Sequence, residues 1–497
     1  MSVSRKPRII AMAVLILVSA AVCVAVLFNV QLYAVYAIWK TPRITSVRET
    51  LYAVRGNIYD RNGVLLAGTD ENGKRYYPEN TAVHILGALN SSGEPQGGAE
   101  LAFNSYLLPQ EGYAELEYTT LKGVTYLSNE NIVPAQNGRD IYLTIDSRVQ
   151  LKAEELLKNA MNEYQNGVSY GDWAPPSGSG GAITVLDTET GEVLAMASAP
   201  DFELADFSEN YDEIIKNDNS PLLNRASQGL YRPGSTLKTC TAIAALSEGV
   251  ISPYSYFFCK GSYDLSGMEF SCMNEHRFVT VKKALEVSCN IFFYKTSQLL
   301  GIDDLVSYEK GFGLGESPDF ALPAYGGRLA SPELFESMGE VWTEGQLLQA
   351  AIGQSETACT PLQMALMAEQ IANKGVRYAP NIVLKITDGN SDDVYKPGTR
   401  ISAAAQDKNK AYEICTEGMT ESTKYTYGQY SLSQLDEPAA IKTGTPQSPR
   451  GYDSAVIGFY PANDPKIAFS VMLEGGANAK NTVGFLITAA MDRETQY

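Results

Sequence analysis

Serine, lysine and amide side chains recur along this 497-residue chain in an order that suits acyl transfer. Ser235-Thr-Leu-Lys238 comes first, Ser288-Cys-Asn290 follows, and Lys442-Thr443-Gly444 comes last. A serine hydroxyl needs a base before it attacks a carbonyl, and a desolvated lysine amine can be that base. His84 and His276 are the only two histidines, so a Ser-His-Asp arrangement has little to draw on. Ser-x-x-Lys recurs at Ser307-Tyr-Glu-Lys310, and Ser-x-Asn at Ser208-Glu-Asn210. That second Ser-x-Asn precedes both Ser-x-x-Lys runs, and none follows Ser307. One set alone therefore keeps the order nucleophile, proton relay, strand.

Each motif sits in a context that can position it. Arg232-Pro-Gly-Ser235 leads into Leu237, Lys238 and Ala242-Ile-Ala-Ala-Leu246, closed by Glu248-Gly249. Pro and Gly before an apolar run, and Gly after it, predict a buried helix. Ser235 then stands at its start, with Lys238 one turn on along the same face. Desolvation there would strip the lysine of its proton, whereas an isolated lysine would snorkel to water. Ser288-Cys-Asn290 joins two helix-like runs, Val281–Val287 and Ile291–Tyr294. Its hydroxyl and amide can face Lys238, or merely cap a helix. Ala440-Ile-Lys-Thr-Gly-Thr-Pro446 reads as a short strand whose glycine admits a ligand backbone. Lys442 and Thr443 suit a carboxylate and the Thr445 N–H an oxyanion; taken alone, the segment is an ordinary edge strand with an exposed lysine.

At these residues the chain resembles a class B penicillin-binding protein, a transpeptidase without a glycosyltransferase. The likeness extends to Arg55-Gly-Asn-Ile-Tyr-Asp-Arg-Asn-Gly63 and to Ala82-Val-His-Ile-Leu-Gly87 through Gly97-Gly-Ala-Glu100. Leu143-Thr-Ile-Asp146, Ala351-Ile-Gly-Gln354 and Thr360-Pro-Leu-Gln-Met364 continue it, so the blocks span residues 50 to 475. The resemblance implies that Ser235 is acylated, Lys238 is its general base, Ser288 relays a proton and Asn290 holds Lys238 and the peptide. It implies that Lys442, Thr443, Gly444 and Thr445 bind the substrate carboxylate, with the Ser235 and Thr445 N–H groups as oxyanion hole. One departure is His276-Arg277, where the family often has His-Gly; it puts the local turn in question. The implied activity is serine-type D-Ala-D-Ala transpeptidation of peptidoglycan stem peptides with release of terminal D-alanine. A carboxypeptidase side reaction and covalent binding of β-lactams are implied with it.

Arg5, Lys6 and Arg8 precede an uncharged apolar stretch beginning at Ile9. Twenty residues at about 1.5 Å each cross the roughly 30 Å core of a bilayer. The reading is a cytoplasmic tail over 1–8, an uncleaved single-pass anchor over 9–30 and the bulk outside the cell membrane. No small-x-small cleavage site supports a signal peptide. Residues 41–145, polar and glycine-dotted, form a non-catalytic pedestal or dimerisation module, and 146–497 the transpeptidase domain. That domain opens with a helix from Arg148 to Tyr164 capped by Asp146, then a surface loop from Gln165 to Gly181. A hairpin of Ala182–Leu186 and Val193–Ala197 follows, then a helical middle from Leu222 to Asn373. Strands at Ala440–Thr445, Ser454–Tyr460 and Ile467–Leu473 and a helix at Thr482–Met491 complete an α+β fold, an antiparallel sheet with helices on both faces.

A net charge of −18 argues against nucleic acid, whose phosphates need a basic footprint. Cys240 and Cys289 are expected beside the active centre, while Cys259 and Cys272 bracket a short segment. A local disulfide between that pair is compatible with an extracytoplasmic domain. Metal binding is disfavoured because His276 alone leaves them one ligand short of four, and no cofactor is expected. Expected partners are stem peptides on lipid-linked precursors, β-lactams, the membrane and a glycosyltransferase of the division or elongation machinery. A β-lactam hydrolase needs a deacylating glutamate, and no Glu-x-x-Leu-Asn segment lies between Asn290 and Lys442. A non-catalytic sensor or scaffold has no need of the whole motif series, and about eight residues before the anchor leave a sensor little effector.

Overall fold

Residues 9 to 39 carry no charge, and they form one long helix, Lys6–Lys40, in the computed structural model. The structure describes residues 6–165, 180–388, 392–426, 432, 435–449, 451–476 and 479–492. Mean hydropathy in that helix reaches 3.0 and none of its side chains is buried. It is long and apolar enough to span a bilayer, with the expected anchor inside it. The expected loop before Gly181 lies outside the described residues, apart from its ends.

The chain divides into two units, Met1–Val54 with Pro109–Asn137, and Arg55–Leu108 with Gly138–Tyr497. Beyond the helix, the first unit holds an antiparallel sheet in the order Arg43–Leu51, Gly112–Leu121, Val124–Val133. The expected boundary at residue 145 is thus not where the structure divides. Residues 55–108 belong to the second unit because their partners come from far along the chain. Ile58–Tyr59 pairs in parallel with Asp140–Leu143, which pairs in turn with Val383–Thr387. A Cβ on Gly56 would sit 2.0 Å from the Arg139 carbonyl oxygen, so only glycine permits this approach. Asp60 closes its own turn onto the Asn62 and Val64 N–H groups and accepts from the Ser147 hydroxyl at 2.7 Å.

The second unit is built on a five-stranded sheet. In chain order its strands are β1 (Gly181–Asp187), β2 (Val193–Ala199), β3 (Ala440–Gly444), β4 (Ser454–Tyr460) and β5 (Ile467–Leu473). In space they run β2-β1-β5-β4-β3, antiparallel throughout. The helices that matter are α1 (Ser147–Gln165), α2 (Lys238–Ser247), α3 (Asn290–Leu300), α4 (Pro361–Ala372), α5 (Ala411–Thr426) and α6 (Val483–Met491). Period-two alternation sends Ile441 and Val456 toward α1 and α6, and Ala440 and Ile457 toward α2, α3, α4 and α5. Both sheet faces are therefore covered, as the sequence predicted. The middle is less uniformly helical than expected. Two small hairpins interrupt it, Tyr256–Cys259 with Arg277–Thr280 and Ser262–Leu265 with Met268–Ser271.

Glu100, wholly buried, accepts from Arg55 at 2.6 Å and from Arg75 at 2.7 Å. Removing one partner of a buried ion pair strands the other charge, at a typical cost of about 3–5 kcal/mol. Glu100→Gln is therefore expected to lower the thermal unfolding midpoint sharply, whereas an unchanged midpoint would show that the arginines find other acceptors.

Candidate active site

The turn that carries Ser235 is shaped by what its neighbours lack. Gly234 has φ +57°, and its N–H donates to the Gly353 carbonyl at 2.9 Å. A Cβ on Gly353 would come within 2.3 Å of the Gly234 oxygen. On the other side, a Cβ on Gly444 would lie 2.8 Å from the Pro233 oxygen and 3.2 Å from the Ser235 nitrogen. Strand β3 and the turn Gly234–Leu237 therefore touch backbone to backbone, which explains the glycine of the third motif. Gln354, next to Gly353, ties that loop to the segment after β3, donating to the Thr445 carbonyl at 3.4 Å and accepting from the Gln447 N–H at 3.1 Å. The resemblance flagged Gly353 and Gln354 as a block, and the contacts supply the physical reason.

Lys238 opens α2 and is 0% exposed, so it does not snorkel. Its Nζ donates to the Ser288 carbonyl at 2.9 Å, the Ser288 Oγ at 3.1 Å and the Asn290 Oδ1 at 2.6 Å. Lys442 is 2% exposed rather than a surface lysine, and its Nζ donates to the same Ser288 Oγ at 3.1 Å. All three motifs thus converge on one hydroxyl. Among the described residues, no hydrogen bond joins either amine to a carboxylate. Burial pulls the Lys238 amine down to about 8. Burial, then the nearby Lys238, pushes Lys442 well below its usual range. Ser235 and Thr443 are half-buried and Thr445 exposed, along an edge strand whose outer side carries no ladder among the described residues.

Neither rival motif resembles this. Ser307 and Lys310 are exposed on the helix Ile302–Gly311, and Ser208 and Asn210 on the helix Phe207–Ile214. Ser288 is no helix cap; Cys289 holds that position, with no side-chain capping bond. Ser288 instead adopts φ +55°, a left-handed conformation that swings its carbonyl and hydroxyl toward Lys238.

Asn290 is held from the hairpin side. Its Nδ2 donates to the Ser271 carbonyl at 3.0 Å and its N–H to Cys272 Sγ at 3.2 Å, leaving Oδ1 for Lys238. Cys272 lies in a cluster with Cys259, His276 and Cys289, whose ligand atoms all fall within 4.8 Å of one another. Hydrogen bonding with the Cys289 thiol holds Cys272 well below the ordinary thiol range. The question that the sequence left open for Cys259 and Cys272 is answered by two free thiols. The expectation of a site one ligand short fails, because Cys289 of the second motif is the fourth member. Sequence distance hid it.

Arg277 answers the question raised by the missing glycine. It takes φ +59°, the conformation a glycine would adopt without strain. Left-handed backbone costs an L-residue roughly 1–2 kcal/mol, against about 0.4–1 kcal/mol of extra unfolded-state entropy for glycine. Arg277→Gly is expected to stabilise the protein by about 0.5–1 kcal/mol in denaturant titration; a destabilised variant would mean that the exposed arginine makes a compensating contact.

Comparison with known proteins gives a consistent answer. The family described as "Penicillin binding protein transpeptidase domain" matches residues 181–489. The Escherichia coli K12 protein named peptidoglycan D,D-transpeptidase MrdA is 29% identical, over 90% of this chain and 75% of its own length. Stage V sporulation protein D of Bacillus subtilis is 27% identical, over 87% and 64%. Among solved structures, the D,D-transpeptidase domain of a peptidoglycan glycosyltransferase from Eggerthella lenta aligns with TM-score 0.73 and 25% identity, covering 89% of this chain and 99% of that one. Pseudomonas aeruginosa PBP2 aligns with TM-score 0.72 and 26% identity, covering 91% and 97%. With the motif geometry in place, this chain belongs to the penicillin-binding protein transpeptidase family, in its class B.

Proposed function

We propose that this protein is a membrane-anchored peptidoglycan D,D-transpeptidase working through an acyl-enzyme on Ser235. One observation carries the reading: a fully buried Lys238 amine, one short turn from Ser235, satisfied by Ser288 and Asn290 and hydrogen-bonded to no carboxylate among the described residues. Such an amine can be neutral near physiological pH and take the serine proton. Ser235 Oγ then bonds to the carbonyl carbon of the penultimate D-alanine, and the oxyanion rests on the Ser235 and Thr445 N–H groups. Collapse breaks the peptide bond, and Ser288, hydrogen-bonded to Lys238, passes the proton to the departing D-alanine amine. An amine from a second stem peptide reverses these steps and closes the cross-link. Water in its place gives carboxypeptidase activity.

Lys442, with Thr443 and Thr445, receives the terminal carboxylate, whose charge restores the proton that burial disfavours on Lys442. The open side of β3 offers backbone donors and acceptors to an extended stem peptide, as in strand addition. The name of the Escherichia coli relative supports this substrate class. Arg5, Lys6 and Arg8, ahead of the uncharged stretch from Ile9, support a cytoplasmic N-terminus and an external catalytic unit. A cross-linker of this kind works beside a membrane glycosyltransferase that supplies the strands. No carboxylate is hydrogen-bonded to Lys238, Ser288 or Lys442 among the described residues, which favours a long-lived acyl-enzyme over β-lactam hydrolysis.

Labelled penicillin should form a stable adduct, located on the Ser235 peptide by mass spectrometry and absent in Ser235→Ala. Labelling of that variant would end the assignment, and rapid turnover of the label would make the protein a hydrolase. The acylation rate constant should rise about tenfold per pH unit from pH 6 and level off above about 8, as Lys238 loses its proton. A flat profile over that range would remove Lys238 as the base.

A further inference from the structure

We propose that Arg232 and Arg328, paired through Glu356, form a subsite for a free carboxylate on the donor stem, two residues upstream of the acylated D-alanine. The subsite rests on the transpeptidase reading above and extends it beyond the reacting dipeptide.

Backbone register builds the cluster. Tyr231 and Cys359 exchange N–H to carbonyl bonds at 3.0 and 2.9 Å, and Arg328 and Ala358 exchange them at 2.8 and 2.9 Å. The stretch 356–359 therefore has the approach to the nucleophile on one side and Arg328 on the other. A Cβ on Gly327 would lie 2.1 Å from the Ala358 oxygen, so a side chain there would block this approach. Glu356 takes one guanidinium on each carboxylate oxygen, Arg232 Nη2 at 2.8 Å on Oε1 and Arg328 Nη2 at 2.9 Å on Oε2. Arg328 Nε also donates to the Glu356 carbonyl at 2.9 Å, and Arg232 Nη1 to the Gln447 carbonyl at 3.4 Å.

Two guanidiniums share one carboxylate, which leaves one positive charge over at the rim of a chain whose net charge is −18. The Arg232 and Arg328 side chains keep 34% and 49% of their exposure. Among the described residues, Arg232 Nε and Arg328 Nη1 donate to no acceptor. Exposed ion pairs add little to stability, so the fold gains little from this arrangement. Guanidinium forks match a carboxylate through two parallel bonds and keep their charge at any working pH.

The direction of the substrate brings a carboxylate to them. With the terminal carboxylate on Lys442 and the scissile carbonyl at the Thr445 N–H, the stem runs antiparallel to β3. Its earlier residues then lie past Thr445. Paired extended chains advance together at about 3.3 Å per residue, so the stem residue two before the acylated D-alanine stands near Gln447. Arg232 is hydrogen-bonded to that same Gln447. Peptidoglycan stems carry a γ-linked glutamate at this place, with its α-carboxyl free.

The test labels the full-length chain in detergent with fluorescent penicillin while two peptides compete. One is N-acetyl-L-Ala-γ-D-Glu-L-Lys-D-Ala-D-Ala, and the other is its twin with the glutamate α-carboxyl amidated. The free acid should protect Ser235 with an apparent inhibition constant about tenfold below that of the amide. Arg232→Gln and Arg328→Gln should each shrink that ratio to about threefold, and the double variant should bring it to about one. Lys466→Gln removes a positive charge from the β4–β5 turn, at the other end of the sheet, and should keep the wild-type ratio. Stoichiometric labelling without peptide reports that each variant is folded, and loss of label in Ser235→Ala tests the reaction separately. Equal constants for acid and amide in the wild type, or no protection by either peptide, would overturn the subsite even with Ser235 labelled. A ratio that survives in the double variant would overturn it as well.

Discussion

An amine sealed from water and hydrogen-bonded to no carboxylate among the described residues is the constraint on which this active site depends. Burial disfavours the charge of Lys238, and a carboxylate partner would restore it. Among the described residues its hydrogen-bond acceptors are neutral, two from Ser288 and one from Asn290. Three acceptors satisfy the ammonium's donors well enough to keep the lysine in place, while burial outweighs the opposing pull of the nearby Cys272 and Cys289 sulfurs. The result is a base that holds a proton weakly. Lys442 is a second buried amine on the same Ser288 hydroxyl, and burial, then the nearby Lys238, disfavours its charge. The surrounding structure must therefore exclude water and hold that hydroxyl still.

Backbone contact achieves both. Glycines at 234, 353 and 444 let the nucleophile's turn, the loop after Ala350 and strand β3 approach closer than any side chain allows. Gln354 ties the loop to the segment beyond β3. Deeper in the unit, Gln363 completes a capping box with Thr360 and donates to the carbonyls of Gly313, Glu316 and Gly326. That single side chain anchors α4 to the irregular stretch between Gly313 and Gly326. Preorganisation here comes from short contacts between rigid pieces rather than from many weak ones.

Local signals were legible in the sequence and long-range ones were not. The strands at 182–186, 193–197, 454–460 and 467–473 and the helix after Ser235 announce themselves by composition and punctuation. The order of the three motifs selects Ser235 over Ser307 and Ser288 over Ser208; the first of each pair is half-buried and the second exposed. The boundary at 145 failed because Ile58 pairs with Ile141, and Ile141 with Ile386, across distances that no local pattern encodes. The hairpins at 256–280 failed because their strands are four residues each, too short for alternation to register. Cys289 belongs by sequence to the second motif, so nothing local signals its convergence with Cys259, Cys272 and His276. A four-ligand cluster spread over two hairpins and a helix start leaves no compact spacing to find.

Ser288 shows why such anchoring is needed at all. Its backbone adopts φ +55°, where glycine would be unstrained, while its hydroxyl must stand between two amines, where glycine would be useless. Chemistry and conformation demand different residues at one position, and the left-handed geometry costs a serine roughly 1–2 kcal/mol. Strain of this kind persists only where the flanks over-determine it. On one side the Cys289 N–H is tied to the Ala284 carbonyl at 2.9 Å, and on the other Asn290 is gripped by Ser271 and Cys272. Relaxing to an ordinary φ would break those bonds and withdraw both acceptors that Ser288 offers Lys238. The base and the strained serine are therefore held by the same contacts, so whatever loosens one releases the other.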